Sequence, residues 1–217
     1  MSANSKSIKI TGEGVYDGGS YDHVKVIGKG TITGDIEASM AKFVGEASVQ
    51  GPATFNQCSL VGKADVNGNF ISDQLKVAGD LFVDGSLKAD RLQLKGFVTT
   101  YNHMQVETIN GRGGFSVDGR VKVKNLMLNL QVALSRAKEI SGESISVKSR
   151  CFFRKPGLLE VDVVEGQRIY LENTTAKIVK GKEVEIGPGC QIDVVEYEES
   201  YHCKSKNSDQ IKEVYRI

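Results

Sequence analysis

The sequence predicts an all-β protein folded as a parallel β-helix, a triangular β-solenoid with about 17 residues per coil. Glycines at a constant spacing and apolar residues that alternate between them predict this fold. One glycine recurs every 17 positions, and a second follows it by six. Because glycine reaches positive φ without a Cβ penalty, both series are predicted to form corners. The predicted corners are Gly28, Gly45, Gly62, Gly79, Gly96 and Gly113, together with Gly34, Gly51, Gly68, Gly85 and Gly119.

Apolar residues form columns when the chain is written in rows of 17 residues. Each row holds three pairs at positions i and i+2, as in Leu81 with Val83 and Leu92 with Leu94. Alternate residues of a strand share a face, so each row predicts three short strands whose apolar side chains point inward. A helical period would not leave such pairs separated by glycines. The predicted core residues are Ile32, Val49, Val66, Leu81, Val83, Leu87, Leu92, Leu94, Val117 and Val121.

The regularity of the repeat changes along the chain. Residues 1–7 are polar and are predicted to be a disordered tail, and residues 8–153 to be the regular solenoid. The segment RKPG at 154–157 interrupts the pattern, as proline and glycine do at turns. Residues 154–197 are predicted to be a second, less regular β segment that continues the solenoid, with a separate capping domain as the alternative. Residues 198–217 are predicted to be a polar tail, in which Val214 and Ile217 are candidates for a short docked element.

Composition excludes several classes of protein. The chain has 28 Lys and Arg against 27 Asp and Glu, a formal net charge of +1, which argues against a nucleic-acid partner held by a strongly basic face. Neither a signal peptide nor a long apolar run is visible, so a cytoplasmic location is predicted. The four cysteines show no CxxC spacing and are predicted to be free thiols rather than metal ligands. They are Cys58, Cys151, Cys190 and Cys203.

The search for catalytic groups finds no strong candidate. IGPGCQI at 186–192 resembles the hexapeptide signature of β-helix acyltransferases, but only this stretch matches, and the three histidines lie far apart. Three carboxylates, Asp73, Asp90 and Glu107, fall in one outward column, where Lys88 and Arg91 are expected to neutralise them. GDLFVDG at 79–85 lacks the GxxxxGK[ST] pattern of a phosphate loop. No catalytic, cofactor-binding or metal-ligating residue is predicted.

The coils VKVIGKGTITGDIEA (24–38) and LKVAGDLFVDGSLKA (75–89) resemble those of the bactofilins, bacterial polymer-forming cytoskeletal proteins. The resemblance extends over about residues 8–126. It implies a right-handed β-helix that stacks end to end into nucleotide-free filaments, without a cofactor and often near the membrane. It also implies partners: further copies of this chain, other bactofilin-like proteins, and cell-envelope or morphogenesis proteins, with no nucleic acid. The N-terminal segment has no apolar anchor, so any membrane association is expected to be peripheral or indirect.

The two ends of the solenoid are the predicted polymer interface, because an uncapped end exposes unpaired backbone and apolar core. The candidate interface residues are Ile8, Ile10, Val24 and Val26 at one end and Ile192 and Val194 at the other. The expected function is that of a non-enzymatic structural protein that self-assembles and recruits other proteins. The alternatives are a non-polymeric solenoid that binds protein partners and a β-helix enzyme of the acyltransferase or polysaccharide type.

Overall fold

A computed structural model describes residues 6–131, 133–149, 156–204 and 211–217. In these residues the chain forms a β-solenoid of about 10 turns without helix, which confirms the predicted fold class. Each strand pairs in parallel with the next one along the chain. The strands are β1 (Ser7–Gln50), β2 (Ala53–Val66), β3 (Phe70–Val83), β4 (Leu87–Thr100), β5 (Met104–Val117), β6 (Arg120–Leu130), β7 (Leu134–Lys148), β8 (Leu158–Leu171), β9 (Thr174–Ile186), β10 (Gln191–Cys203) and β11 (Ile211–Arg216).

The pairing register follows the glycine repeat from β1 to β6 and then becomes irregular. Gly62 pairs with Gly79 and Gly79 with Gly96, each 17 residues later. Beyond β6 the number of residues per coil varies, yet one column of inward residues continues to the last strand. Its members are Val121, Ile140, Val164, Val179, Val195 and Val214, separated by 19, 24, 15, 16 and 19 residues. The irregular segment therefore extends the same stack.

The coils differ from the expected three short strands, because one long strand bends through two of the corners. β3, for example, contains Gly79, and backbone pairing to β2 and β4 continues through that residue. The chain leaves the ladder at the second glycine of the coil, between β3 and β4 and between β2 and β3. Positive φ occurs at Gly28, Gly34, Gly45, Gly62, Gly68, Gly79, Gly96 and Gly113, but not at Gly51, Gly85 or Gly119.

Close packing explains the glycine at one corner without positive φ. A Cβ added to Gly85 would lie 2.5 Å from the carbonyl oxygen of Gly68 in the preceding coil. Any side chain there would push two stacked corners apart, since such a distance lies well inside van der Waals contact. At this position glycine is required by the spacing of the coils.

The core is a continuous column of apolar side chains along the axis of the solenoid. All ten residues predicted to form the core are at most 2% exposed. Phe43, Phe55 and Phe70 add an aromatic stack, with ring centroids 6.0 and 5.7 Å apart in edge-to-face geometry. Because each coil rests on its neighbours, burial of these side chains depends on stacking.

The two predicted tails differ from the structure where it describes them. Residues 1–5 lie outside the described residues, and Ser7 already begins β1. At the other end β10 continues to Cys203, and β11 pairs in parallel with β10, where a polar tail was expected. The reason is that outward polar residues alternate there with inward apolar ones, so a polar composition conceals a strand. The break at 154–157 is followed by β8, which pairs with β7 and continues the stack.

Candidate assembly surfaces at the solenoid ends

The C-terminal end of the solenoid is a partly exposed apolar strand. Val195 is fully buried, whereas Val214, the next residue of the same column, is 41% exposed. β11 is the last strand in the sheet order, so among the described residues its outer edge has no strand partner. Tyr215 and Ile217 are also exposed beside it. Such an edge is a template for further β-pairing.

Aromatic side chains form the remainder of this end. The rings of Tyr197 and Tyr201 stack with their centroids 5.7 Å apart, and both pack against the core together with Ile211. Burial, followed by the nearby Cys203, raises the pKa of Tyr201 to about 12. Tyr201 therefore stays neutral at physiological pH and contributes an uncharged surface next to β11.

The N-terminal end is closed more completely. Ile8 and Ile10 are 3% and 2% exposed, although they belong to the first strand. The exposed apolar residues of this end are Val15 and Tyr16, at 67% and 42%. The carbonyl oxygen of Tyr16 accepts a hydrogen bond from Thr33 Oγ1 at 3.3 Å, which ties this first coil to the second.

The predicted interface residues thus lie mostly inside the molecule. Val24, Val26 and Ile192 are at most 2% exposed, so their side chains support the end coils and are not available to a second molecule. Val194 is half-buried at a corner, and Val195 takes the inward position that the sequence assigned to Val194. The C-terminal candidates were placed one coil too early, because the strand β11 was expected to be a tail.

The acidic column lies at the corner before the second apolar pair of each coil. Asp73, Asp90 and Glu107 are all exposed there. The ion pairs expected with Lys88 and Arg91 are not formed, since none of the ion pairs within 4.0 Å among the described residues involves these carboxylates. In the described part of the chain no group of three or more His, Cys, Asp or Glu is placed to hold a metal ion.

The hexapeptide-like segment IGPGCQI forms the turn between β9 and β10. Cys190 is 1% exposed, and its Sγ donates a hydrogen bond to the carbonyl oxygen of Leu171 at 3.3 Å. Desolvation raises the pKa of this thiol to about 11, so it is not a nucleophile at neutral pH. His103 is distant in sequence and accepts a hydrogen bond at Nδ1 from the backbone amide of Arg120. These contacts are structural ones.

We expect a thiol reagent to modify Cys203 in the folded protein and to reach Cys58 and Cys190 only after unfolding. Cys203 is exposed, whereas the other two are buried and burial raises the pKa of both. Less thiolate and less access both slow the reaction. The measurement is the colour released from a disulfide reagent with and without guanidinium, in a Cys151→Ser background because Cys151 lies outside the described residues. A rapid phase of more than one thiol per chain would contradict the burial.

Two proteins of Bacillus subtilis (strain 168) are similar to part of this chain. The chain is 46% identical over 101 residues to "Uncharacterized protein YhbF" and 33% identical over 93 residues to "Uncharacterized protein YhbE". These matches cover 46% and 40% of this chain, which spans only 42% and 39% of the two relatives. No family model and no solved structure matches the chain. No helix in the described residues is long and apolar enough to cross a membrane.

Proposed function

We propose that this protein is a structural scaffold whose solenoids stack end to end into nucleotide-free filaments and recruit other proteins. The observation that carries the proposal is the C-terminal edge, where a column of fully buried residues ends in the 41% exposed Val214. The bactofilin-like coils of the sequence support the same role. The proposed location is the cytoplasm, with membrane contact only through partners.

Stacking of a second molecule on β11 would complete what the fold leaves open. A strand added to this edge would pair with its free backbone groups and cover Val214. Burial of apolar surface contributes roughly 25 cal/mol per Å², and the adjacent tyrosines enlarge the apolar area. If the edge meets the N-terminal coil of the next molecule, the contact is heterologous and grows without closing, which produces a filament.

We expect Val214→Lys to abolish assembly while the monomer remains folded. The substitution places a charge where the next coil would stack, and an unpaired buried charge costs several kcal/mol. In the monomer the same position is partly exposed, so the lysine amine stays in water. The measurement is light scattering over a concentration series with negative-stain electron microscopy, and circular dichroism reports the β fold.

The matched control is Val61→Lys. Val61 is 47% exposed, about as much as Val214, but it lies in β2, within the body of the solenoid. We expect this variant to assemble like the unmodified protein. A protein that stays monomeric at high concentration without filaments overturns the proposal. Equal loss of assembly in both variants would move the contact from the ends to the sides of the solenoid.

A further inference from the structure

A groove of about 800 Å³ runs along one side of the solenoid and crosses the strands from β2 to β7. Four cationic residues line it: Lys76, Lys95, Arg112 and Lys148. No carboxylate is among the described residues that line this groove, which is distinct from both ends of the solenoid. The groove is large enough to hold a segment of a polymeric ligand.

Strand register arranges the groove as two polar ladders parallel to the solenoid axis. In the first, Lys76 pairs with Gln93, and Gln93 with Asn110. In the second, Lys95 pairs with Arg112. Neighbouring parallel strands are about 4.8 Å apart, so a ligand lying along the axis meets new polar groups at each coil. The spacing is comparable to the length of one sugar ring.

The charge of this groove differs from that of a second groove on another side of the solenoid. There the cationic residues Arg136, Lys177 and Lys212 are paired with Glu160, Asp162 and Asp193, at 3.0, 2.7 and 2.7 Å. The cationic residues of the first groove form none of the ion pairs found in the described residues, although Lys148 lies 5.7 Å from the ring of Tyr170. Their positive charge is left for an external anion.

The acidic corner column borders the same groove on its other side. Asp73 precedes Lys76 by three residues in β3, and the same corner of the next two coils carries Asp90 and Glu107. One border is therefore acidic, and the border with Lys95 and Arg112 is basic. An anionic ligand is directed toward the basic border.

We propose that this groove binds a linear acidic polysaccharide whose chain lies along the solenoid axis. Lysine and arginine pair with carboxylates, and the amides of Gln93 and Asn110 are suited to sugar hydroxyls. Met127, which is 50% exposed, offers an apolar contact to a sugar ring. The residues that line the groove include no aromatic side chain on which nucleic-acid bases would stack.

The proposed activity is binding without cleavage. Hydrolysis of a glycosidic bond generally uses a pair of carboxylates that flank it, and none lines the groove. The inference goes beyond the scaffold proposed above and does not depend on self-assembly. A protein that binds this polymer and stays monomeric would contradict the scaffold proposal alone.

The test is the affinity of the full chain for oligogalacturonate, measured by titration calorimetry at low salt. A neutral linear glucan of the same length is the reference ligand. We expect binding of the acidic oligomer only, and a loss of at least about tenfold in the double variant Lys95→Glu, Arg112→Glu. Gln93→Ala with Asn110→Ala should weaken binding without changing its dependence on salt, because neither residue is charged.

The matched control is Lys88→Glu with Lys122→Glu. Both residues are exposed and lie on another side of the solenoid, and the net charge changes by the same amount as in the groove variant. Affinity should change by less than about threefold, because distant exposed charges are screened by salt. Absence of binding, equal binding of the neutral glucan, or equal losses in the two double variants would each overturn the proposal. Tighter binding of single-stranded DNA of the same charge would overturn it in favour of non-specific polyanion binding.

Discussion

Leu81→Asp is expected to unfold the solenoid or to lower its free energy of unfolding by on the order of 4 kcal/mol. Leu81 is 2% exposed and pairs with Ala64 in the preceding coil and Val98 in the next. The aspartate would be buried without a partner in the middle of the axial core. Since a small domain is stable by only about 5–15 kcal/mol, such a loss is severe. Urea unfolding followed by circular dichroism measures it.

The effect is also expected to spread, because each coil is stabilised by its neighbours. A coil that cannot pack leaves both adjacent coils with an uncovered face. The control is Ile71→Asp, on a β3 residue that is 42% exposed, where a charge remains in water. We expect that variant to change the free energy of unfolding by less than about 1 kcal/mol. Equal unfolding midpoints for the two variants would contradict the inward position of Leu81.

Gly79→Ala is expected to have the second large effect, a loss of roughly 3 kcal/mol or more. Gly79 has φ of +135°, and an added Cβ would lie within 2 Å of the carbonyl oxygen of Gly62 in the preceding coil, at 1.9 Å. Neither backbone can move without breaking the ladder, since Gly62 and Gly79 are directly paired. The alanine therefore separates two coils at a corner that both share.

Gly34→Ala separates the two causes of this loss. Gly34 has φ of +86°, but an added Cβ would meet nothing within 4 Å. Only backbone strain remains, which costs about 1–2 kcal/mol. The two variants are compared by their denaturant midpoints and slopes. Equal destabilisation would mean that strain alone accounts for the glycines, and that the close approach of the coils is relieved by relaxation.

Much of the fold was predictable, because its signals are local in the sequence. The i, i+2 pairs reflect the alternation of side chains along a strand, and the constant glycine step reflects the equal circumference of stacked coils. The inward positions of Leu81, Val83, Leu92 and Leu94 follow from these two features alone. The bending of one continuous strand through two corners did not follow, since it depends on backbone pairing to the coils above and below.

The ends were less predictable, because coils tolerate insertions at their corners. The column from Val164 to Val214 has three different steps, so a fixed period of 17 loses it, although the side chains still stack. This is why Val194 was assigned inward in place of Val195, and why β11 was taken for a tail. The exposed edge at Val214 became visible only when the last strand was seen paired.

By itself the sequence determined the period, the inward columns and the positions of most corners, since these are properties of one coil repeated. Only the tertiary structure decided where the stack ends and which polar residues share a groove. Lys76 and Lys95 occupy different places in their coils, and Lys148 follows a corner whose length departs from the repeat. They line one surface because the parallel register stacks their strands. That register depends on contacts between coils, which no single coil specifies.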